Sequence, residues 1–531
     1  DIELISQDNG PGIPRDAIEN VFGKFLLGSR FHAIRQTRGQ QGIGITGVVM
    51  YAQLTTGAKT RVISKIAKES SAVFVELGLD TRKNKAIKSR ERREVWADEN
   101  TGEEIAHGLK ISTVMKAKYQ RGKQSVFQYL RMTSIVNPHA TITLVVKDRD
   151  GEILEDAKWI RTSEKLPRVV EEIKPHPHGI QLGTLQRMLR ESEQNRMTSF
   201  LRHNFSGVSV RAAKELLSKS EIEENRNPKR INSEDTKRLI HSFQEIKLLP
   251  PPTDCLSPID DLLIKKGLSK AIDSRFASTV TRLPSVSQGN PFQIEVGLVF
   301  GGDLTSDGPI EVLRFANRVP LMYQQGGCAL TKAIESINWK QYGLDHPGGK
   351  GLPKGAAAVL IHLASTNVQF TSEAKEAVSD NEEVFDEIRK GLLEVGRGLK
   401  NHLKKNTQRK KAREKFELVN VILPEIAKKT SKILDREVPD LAPVITQIMN
   451  AVFCEEELGW DKERKVATCS IKVFNYTARA RAYTILLKWP ESESVSIVEN
   501  SNGGRKEARG IWAWRLDTLN PGSSTTISIA L

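Results

Sequence analysis

Cysteine is scarce in this chain of 531 residues: Cys255, Cys328, Cys454 and Cys469 stand far apart, and none belongs to a C-x-x-C pair. That spacing excludes a zinc framework or a disulfide scaffold and fits a reducing cytoplasm. Long apolar runs are absent as well. The longest, Ala356 to Ala364, carries His362 and falls well below the ~18 residues of a membrane span, so it reads as a buried strand or helix. No basic, apolar and small-residue pattern of a secretory signal opens the chain. Acids are in deficit, with 65 Asp and Glu against 80 Lys and Arg, for a net charge of +15. Such a charge fits a partner rich in phosphates, and equally a basic protein with no such partner. An initiator Met is lacking too. The chain opens inside the apolar strand Ile2-Glu3-Leu4-Ile5, with its first motif at residue eight, so a preceding segment is expected.

What is present is ample for several cores: 38% of residues are hydrophobic. A prior of ~150 residues per domain gives three or four domains. Asp8-Asn9-Gly10-Pro11-Gly12-Ile13 ends the first strand. Gly10 and Gly12 allow a tight turn with close backbone approach, and Pro11 stiffens it. A carboxylate held there can accept a hydrogen bond from an amino group such as that of adenine, although alone it also reads as an ordinary Asx-turn. About thirty residues later comes Arg38-Gly39-Gln40-Gln41-Gly42-Ile43-Gly44-Ile45-Thr46-Gly47, running into an apolar helix through Val48, Val49, Met50, Ala52 and Leu54. Glycines leading into a helix leave N–H groups free to cradle phosphate, helped by the helix dipole. The run has neither the strand–turn–helix order of a dinucleotide fingerprint nor the Gly-Lys-Ser/Thr ending of a P-loop.

D-x-G-x-G followed by G-x-x-G-x-G resembles the signature of the ATPase superfamily of gyrase, heat-shock chaperones, histidine kinases and MutL. The resemblance implies ATP and Mg2+ as cofactors, with Asp8 on adenine, Gly10 and Gly12 flooring the base pocket, and Gly39, Gln40, Gln41, Gly42, Ile43, Gly44, Ile45 and Thr46 around the phosphates. Lys24-Phe25 and Gly28-Ser29-Arg30 would form a lid, with Ser29 and Arg30 near the nucleotide. The superfamily's general-base Glu and metal-binding Asn precede the Asp motif, so no residue of this chain is assigned either role, and no metal ligand is expected in it. His107-Gly108-Leu109 puts Leu where the superfamily often has Thr.

Farther on, Asp148-Arg149-Asp150-Gly151 lies between Thr141–Val146 and Ile153-Leu154 and predicts a hairpin rather than metal-binding acids; no E-G-D segment occurs to complete a cleavage site. Beyond Pro175–His178, short helices are expected through Leu182–Leu189, Phe200–Phe205, Val210–Leu217 and Leu239–Ile246, closed by Pro250-Pro251-Pro252. Such a basic helical module reads as a DNA-backbone contact or as a spacer. Phe292–Phe300 predicts a period-two strand, followed by Leu313–Val319. A long helix is expected from near Ser372, its apolar stripe at Ile388, Leu392, Val395, Leu399 and Leu403. From Lys400 to Lys415 come eight Lys or Arg and one acid, Glu414; Lys404, Lys405, Arg409, Lys410 and Lys411 are DNA-contact candidates or a solvated face. More helix follows, with apolar Val419, Ile422, Leu423, Ile426, Leu441, Val444, Ile445 and Ile448. The tail predicts short strands at Ala467–Tyr476, Ala482–Trp489, Val495–Val498, Gly510–Leu516 and Thr525–Leu531, an immunoglobulin-like β-sandwich.

Within the superfamily, the helical insert, Phe315-Ala316-Asn317-Arg318-Val319-Pro320-Leu321 and Trp339-Lys340-Gln341-Tyr342-Gly343 closely resemble the B subunits of type IIB topoisomerases, the topoisomerase VI family. That resemblance covers nearly the whole chain. It implies an α+β multidomain protein with an α/β-sandwich ATPase domain over 1–174 and a helix–two-turn–helix module over 175–252. A ribosomal-protein-like transducer over 253–375, linking and partner-docking helices over 376–452 and the β-sandwich over 453–531 complete it. Lys340 becomes the switch lysine for the ATP γ-phosphate, a role its flexible point charge suits. The implied partners are a DNA-cleaving A subunit in a heterotetramer of two A and two B chains, a second copy on ATP binding, and double-stranded DNA, in the cytoplasm at the nucleoid and without a membrane. Two readings of another class share the ATP site: a MutL-like or chaperone-like clamp without topoisomerase work, and a sensor histidine kinase, which needs a phosphoacceptor helix upstream.

Overall fold

In the computed structural model the described residues are 1–26, 34–39, 42–98, 101–372, 375–461, 466–488, 499–500, 503–508 and 511–530. They fall into two compact units, Asp1–Asn401 and His402–Leu531.

The first unit begins with strand β1 (Ile2–Asp8), helices α1 (Arg15–Gly23) and α2 (Gly44–Thr56), and strands β2 (Thr60–Lys65), β3 (Ala72–Asp80), β4 (Lys85–Glu94) and β5 (Gly108–Met115). The strands make one antiparallel sheet in the order β1-β5-β2-β3-β4. Strand alternation sends Val62, Val73, Val75 and Leu77 to one face, where Ile18 and Phe22 of α1 and Val49 of α2 cover them. The result is a helix-on-sheet layer with an apolar interior.

Helix α3 (Val126–Val136) leads to the hairpin of β6 (Ile142–Lys147) and β7 (Ile153–Trp159). The hairpin reading of Asp148–Gly151 holds: Asp148 Oδ1 accepts from the backbone N–H of Asp150 at 2.9 Å and of Glu152 at 2.8 Å. Four helices follow, α4 (Leu182–Glu191), α5 (Met197–Asn204), α6 (Val210–Lys219) and α7 (Ser233–Glu245). Ser209 and Asn232 cap α6 and α7 through their side chains. Leu185, Phe200, Leu216, Leu239 and Phe243 are fully buried in a core made by these helices and by Phe205, Ile222 and Ile246 beside them.

Helix α8 (Asp261–Ala271) and strands β8 (Phe276–Thr281), β9 (Ser285–Ser287), β10 (Asn290–Phe300), β11 (Glu311–Ala316), β12 (Val319–Pro320) and β13 (Ala357–Ser365) build a second sheet, with the short helix α9 (Ala329–Glu335) between β12 and β13. Its order is β12-β11-β13-β10-β8, with β9 also on β10 and β11 parallel to β13. The apolar run at Ala356 proves to be strand β13. Strand β10 falls where expected, yet it is buried on both sides rather than alternating. The reason is cover on each face. Met132 and Ile135 of α3 and Ile264 and Leu268 of α8 pack on one side. On the other lies helix α10 (Glu382–Leu434), with Ile388, Leu392, Val395 and Leu399 fully buried, as the stripe predicted. This helix starts ten residues after the expected Ser372, because Asn381 Oδ1 caps it on Val384 N at 3.0 Å. Three of its glycines sit where a side chain would collide: an added Cβ at Gly391 would lie 2.8 Å from Val296, at Gly396 3.0 Å from the Tyr342 ring, and at Gly398 2.7 Å from Ser278.

At the centre of this sheet Glu295 and His362 face each other with no solvent exposure. Glu295 accepts from the N–H of Ile259 and Asp260, both at 2.8 Å, and from the Thr281 hydroxyl at 3.0 Å. His362 Nε2 accepts the Arg318 N–H at 3.0 Å, so the ring proton sits on Nδ1 and is donated to Glu295 at 2.7 Å. Burial works to raise the Glu295 carboxyl, but His362 and the two N–H groups outweigh it and hold it below the usual range. Burial also lowers the His362 imidazole, against the pull of Glu295.

In the second unit α10 continues past an internal Pro424 to Leu434, followed by α11 (Ala442–Met449) and strands β14 (Val452–Asp461), β15 (Val466–Asn475), β16 (Thr484–Lys488), β17 (Glu499–Asn500), β18 (Arg505–Ala508), β19 (Ile511–Arg515) and β20 (Ser524–Ala530). Sheets β14-β15-β20-β17 and β16-β19-β18 enclose Val473, Trp514 and Ile527, which matches the expected sandwich. Strand β14 extends it beyond the strands the sequence suggested, and Val495–Val498 lie outside the described residues.

Both buried groups are depressed, so their contribution is complete at neutral pH and declines on acidification, beginning as the unfolded histidine titrates near 6.5. His362→Ala should lower stability by roughly 3–5 kcal/mol at pH 7.5, the cost of stranding a buried charge. Its urea midpoint should also fall less steeply than that of the native chain between pH 6.5 and 5. An equal slope in the two proteins would place the acid sensitivity elsewhere.

Candidate nucleotide-binding site

The Asp8 turn is shaped by crowding. β1 pairs with β5 so that Asp8 lies opposite Leu109. Gly12, at φ 72°, runs so close to β2 that an added Cβ would be 2.2 Å from the Lys65 carbonyl; one at Gly108 would be 2.2 Å from the Asp8 carbonyl. Only glycine fits either place. Asp8 Oδ1 accepts the Gly10 N–H at 2.8 Å, an Asx-turn geometry, and the carboxylate is exposed. His107 Nδ1 lies 2.8 Å from the Gly10 carbonyl. Ser64 braces the far side twice, its Oγ accepting from Ile13 N at 2.7 Å and donating to Ile13 O at 2.8 Å. Sequence reasoning misses Ser64, because a lone serine in a strand gives no signal. His107-Gly108 stands out in the sequence only for the Leu that follows it.

The glycine loop meets this turn at one core. Ile13 after the turn, Ile45 at the start of α2 and Leu109 of β5 all pack against the cluster of Ile18, Phe22, Val49 and Val62. Helix α2 begins at Gly44 with no side-chain cap on its first N–H groups. Gly39, Gly44 and Gly47 have open space where a Cβ would stand, and Gly42 takes φ 64°. Thr46 differs from its neighbours. It is fully buried and its hydroxyl faces the carbonyls of Val21 at 3.4 Å and Lys24 at 3.3 Å, so it ties α2 to the end of α1. Ser29, Arg30, Gln40 and Gln41 lie outside the described residues.

Lys340 sits in a short 3₁₀ turn, Trp339–Tyr342. Trp339 is fully buried and donates its indole N–H to the Ile334 carbonyl at 2.8 Å, and Tyr342 packs edge-on against it. Lys340 between them is exposed, and no hydrogen bond or ion pair joins it to the glycine loop among the described residues. In the second unit Lys404, Lys405, Arg409, Lys410 and Lys411 are all exposed, with Lys410 3.8 Å from Glu414. Among the described residues no helix is long and apolar enough to cross a membrane, and no group of three or more His, Cys, Asp or Glu forms a metal site.

Comparison with known proteins adds the lineage. Residues 251–415 match the family model for the topoisomerase VI B subunit transducer. The B subunit of type 2 DNA topoisomerase 6 from Methanococcoides burtonii is 43% identical over 485 residues, which cover 91% of this chain and 76% of that protein. Its counterpart in Archaeoglobus fulgidus is 44% identical over 476 residues, covering 90% and 76%, and that of Pyrococcus horikoshii is 33% identical over 475, covering 80% of each. At 43–44% identity over nine-tenths of its length, the chain belongs to the family of type 2 DNA topoisomerase 6 B subunits.

Proposed function

We propose that ATP binding at the Asp8 turn and the glycine loop closes two copies of this chain on a DNA duplex. The closure drives a separate A subunit, in a heterotetramer of two A and two B chains, to pass one duplex through a break in another. The carrying observation is that the crowded Asp8–Gly12 turn and the uncapped start of α2 share one core. Family membership sets aside the clamp without topoisomerase work and the histidine kinase. In this reading residues 1–174 hold nucleotide, 175–252 form the helical insert, 253–375 the transducer, 376–452 the linking and partner-docking helices and 453–531 the appended sandwich.

The residues present suit ATP. Asp8 spends Oδ1 on Gly10 and keeps its second oxygen to accept the adenine amine. Gly10, Gly12 and Gly108 keep the floor of the pocket at backbone height, and His107 steadies it through the Gly10 carbonyl. The N–H groups from Gly42 to Ile45 point from a helix start toward incoming phosphate. Thr46 acts one step back, holding α2 on α1. Bound nucleotide supplies a γ-phosphate whose charge Lys340 senses, and the anchored Trp339 and Tyr342 hold that lysine on a fixed mount. Mg2+ would accompany the triphosphate, though among the described residues no group of three or more His, Cys, Asp or Glu would hold it. The exposed run Lys404–Lys411 contributes phosphate contacts to DNA.

Asp8→Asn should cost about 1–3 kcal/mol of nucleotide affinity, because an amide turns a donor where the adenine amine needs an acceptor. A fluorescent-nucleotide titration reads this directly, and native affinity would refute the Asp8 role. Lys340→Ala should retain most adenine binding yet fail to distinguish a non-hydrolysable ATP analogue from ADP when dimer closure is followed by crosslinking. It should also fail to relax supercoiled DNA with the A subunit. A ligand with equal affinity for both states moves neither. Normal closure and relaxation would reduce Trp339–Gly343 to a packing turn. Charge reversal at Lys404, Lys405, Arg409, Lys410 and Lys411 should flatten the salt dependence of DNA binding by roughly one unit of log–log slope per lost phosphate contact. An unchanged slope would leave these residues as a solvated face.

A further inference from the structure

The stem of the glycine loop, Gln36-Thr37-Arg38, is tied to the segment before α8, to the end of α3 and to the turn after β11. Gln36 donates its backbone N–H to the Cys255 carbonyl at 2.9 Å, and its side chain accepts from Ser257 N at 2.6 Å. The Thr37 carbonyl accepts from Asn317 Nδ2 at 2.9 Å, and the Arg38 guanidinium donates to Asn137 Oδ1 at 2.6 Å. Asn317 is itself clamped, with Nδ2 also on the Ser365 carbonyl and Oδ1 accepting Ser365 N, each at 2.9 Å. It is 3% exposed, so this amide is fully committed between β13 and the loop stem.

Asn317 and Arg318 turn the chain from β11 into β12 with φ of 47° and 65°. Two successive positive values suit a type I′ turn, whose second position favours glycine. An arginine there is strained unless its surroundings hold it. They do: its N–H reaches His362, and its guanidinium donates to the carbonyls of Val136 and Pro258, both at 2.9 Å. Val136 ends α3, and Asn137 beside it receives Arg38. One helix C-terminus therefore takes a cation from the turn and another from the loop stem, the end where its dipole favours positive charge.

We infer that Asn317 and Arg318 are positioning residues for the nucleotide site: the β11–β12 turn holds the stem of the glycine loop at a fixed height on the second sheet. The inference rests on the nucleotide reading of that loop. Because the stem, α3 and β13 meet at this turn, a shift of the second sheet moves the loop, and ligand at the loop resists that shift.

The experiment uses the full chain with its A subunit. Amide hydrogen exchange is recorded without nucleotide, and a fluorescent-nucleotide titration gives the Kd and the number of sites filled. Asn317→Ala should speed exchange at residues 36–39 roughly tenfold, the loss of about one net hydrogen bond, and raise the Kd by a similar factor. It should leave the number of sites filled unchanged. Should the alanine variant fold poorly, Asn317→Gly keeps the positive-φ turn without strain while still removing the amide, and must give the same two changes. A merely structural residue would lower the number of sites filled and leave the Kd and the exchange of 36–39 in the folded fraction alone; that pattern overturns the positioning role. If the native complex shows no nucleotide affinity while exchange still rises in the variants, the nucleotide reading fails and the positioning role falls with it. Unchanged exchange beside normal native affinity overturns the positioning role alone.

Discussion

A single carboxylate in the buried centre of a sheet ties together four separate segments of the first unit. Glu295 collects donors from the segment before α8, from the end of β8 and from β13, and through His362 it reaches the turn after β11. A charge without solvent is tolerable only when its partners arrive together. The arrangement is therefore all-or-none: a slip of β13 by one residue would remove His362 from Glu295 and strand the carboxylate. Register, helix start and turn are set by one demand.

What the chain can do chemically is decided by which polar atoms are already spent. Asp148, a candidate metal acid by composition, gives Oδ1 to two N–H groups of its own hairpin. Thr46, placed by motif among phosphate ligands, faces backbone carbonyls in a fully buried position. Among the described residues of the site, by contrast, the first N–H groups of α2 have no side-chain cap and the Asp8 carboxylate is exposed. A motif names residue types, and the hydrogen-bond inventory separates scaffold from site.

Much of this is legible in the residues alone. Glycine-rich turns announce themselves because no other residue tolerates the crowding at Gly12 and Gly108. The stripe from Ile388 to Leu399 and the hairpin at Asp150-Gly151 follow from periodicity and turn chemistry. Strand β14 stays hidden because Glu455-Glu456-Glu457 breaks the apolar alternation in its middle. The start of α10 is misplaced because Ser372, Asn381 and other polar residues all resemble caps, and only the contact of Asn381 with Val384 chooses among them. Ser64, Asn317 and Glu295 act through partners 51, 280 and 67 positions distant, separations that no local pattern encodes.

The glycines of α10 carry one more implication. Gly391, Gly396 and Gly398 let the helix lie against Val296, Tyr342 and Ser278, but each weakens the helix itself by about 1 kcal/mol relative to alanine. Three within eight residues make this a stretch poorly able to stay coiled alone. Its rigidity is borrowed from the sheet beneath it. The contact surface with the sheet, and not the length of the helix, therefore sets how much of this stretch stays stiff.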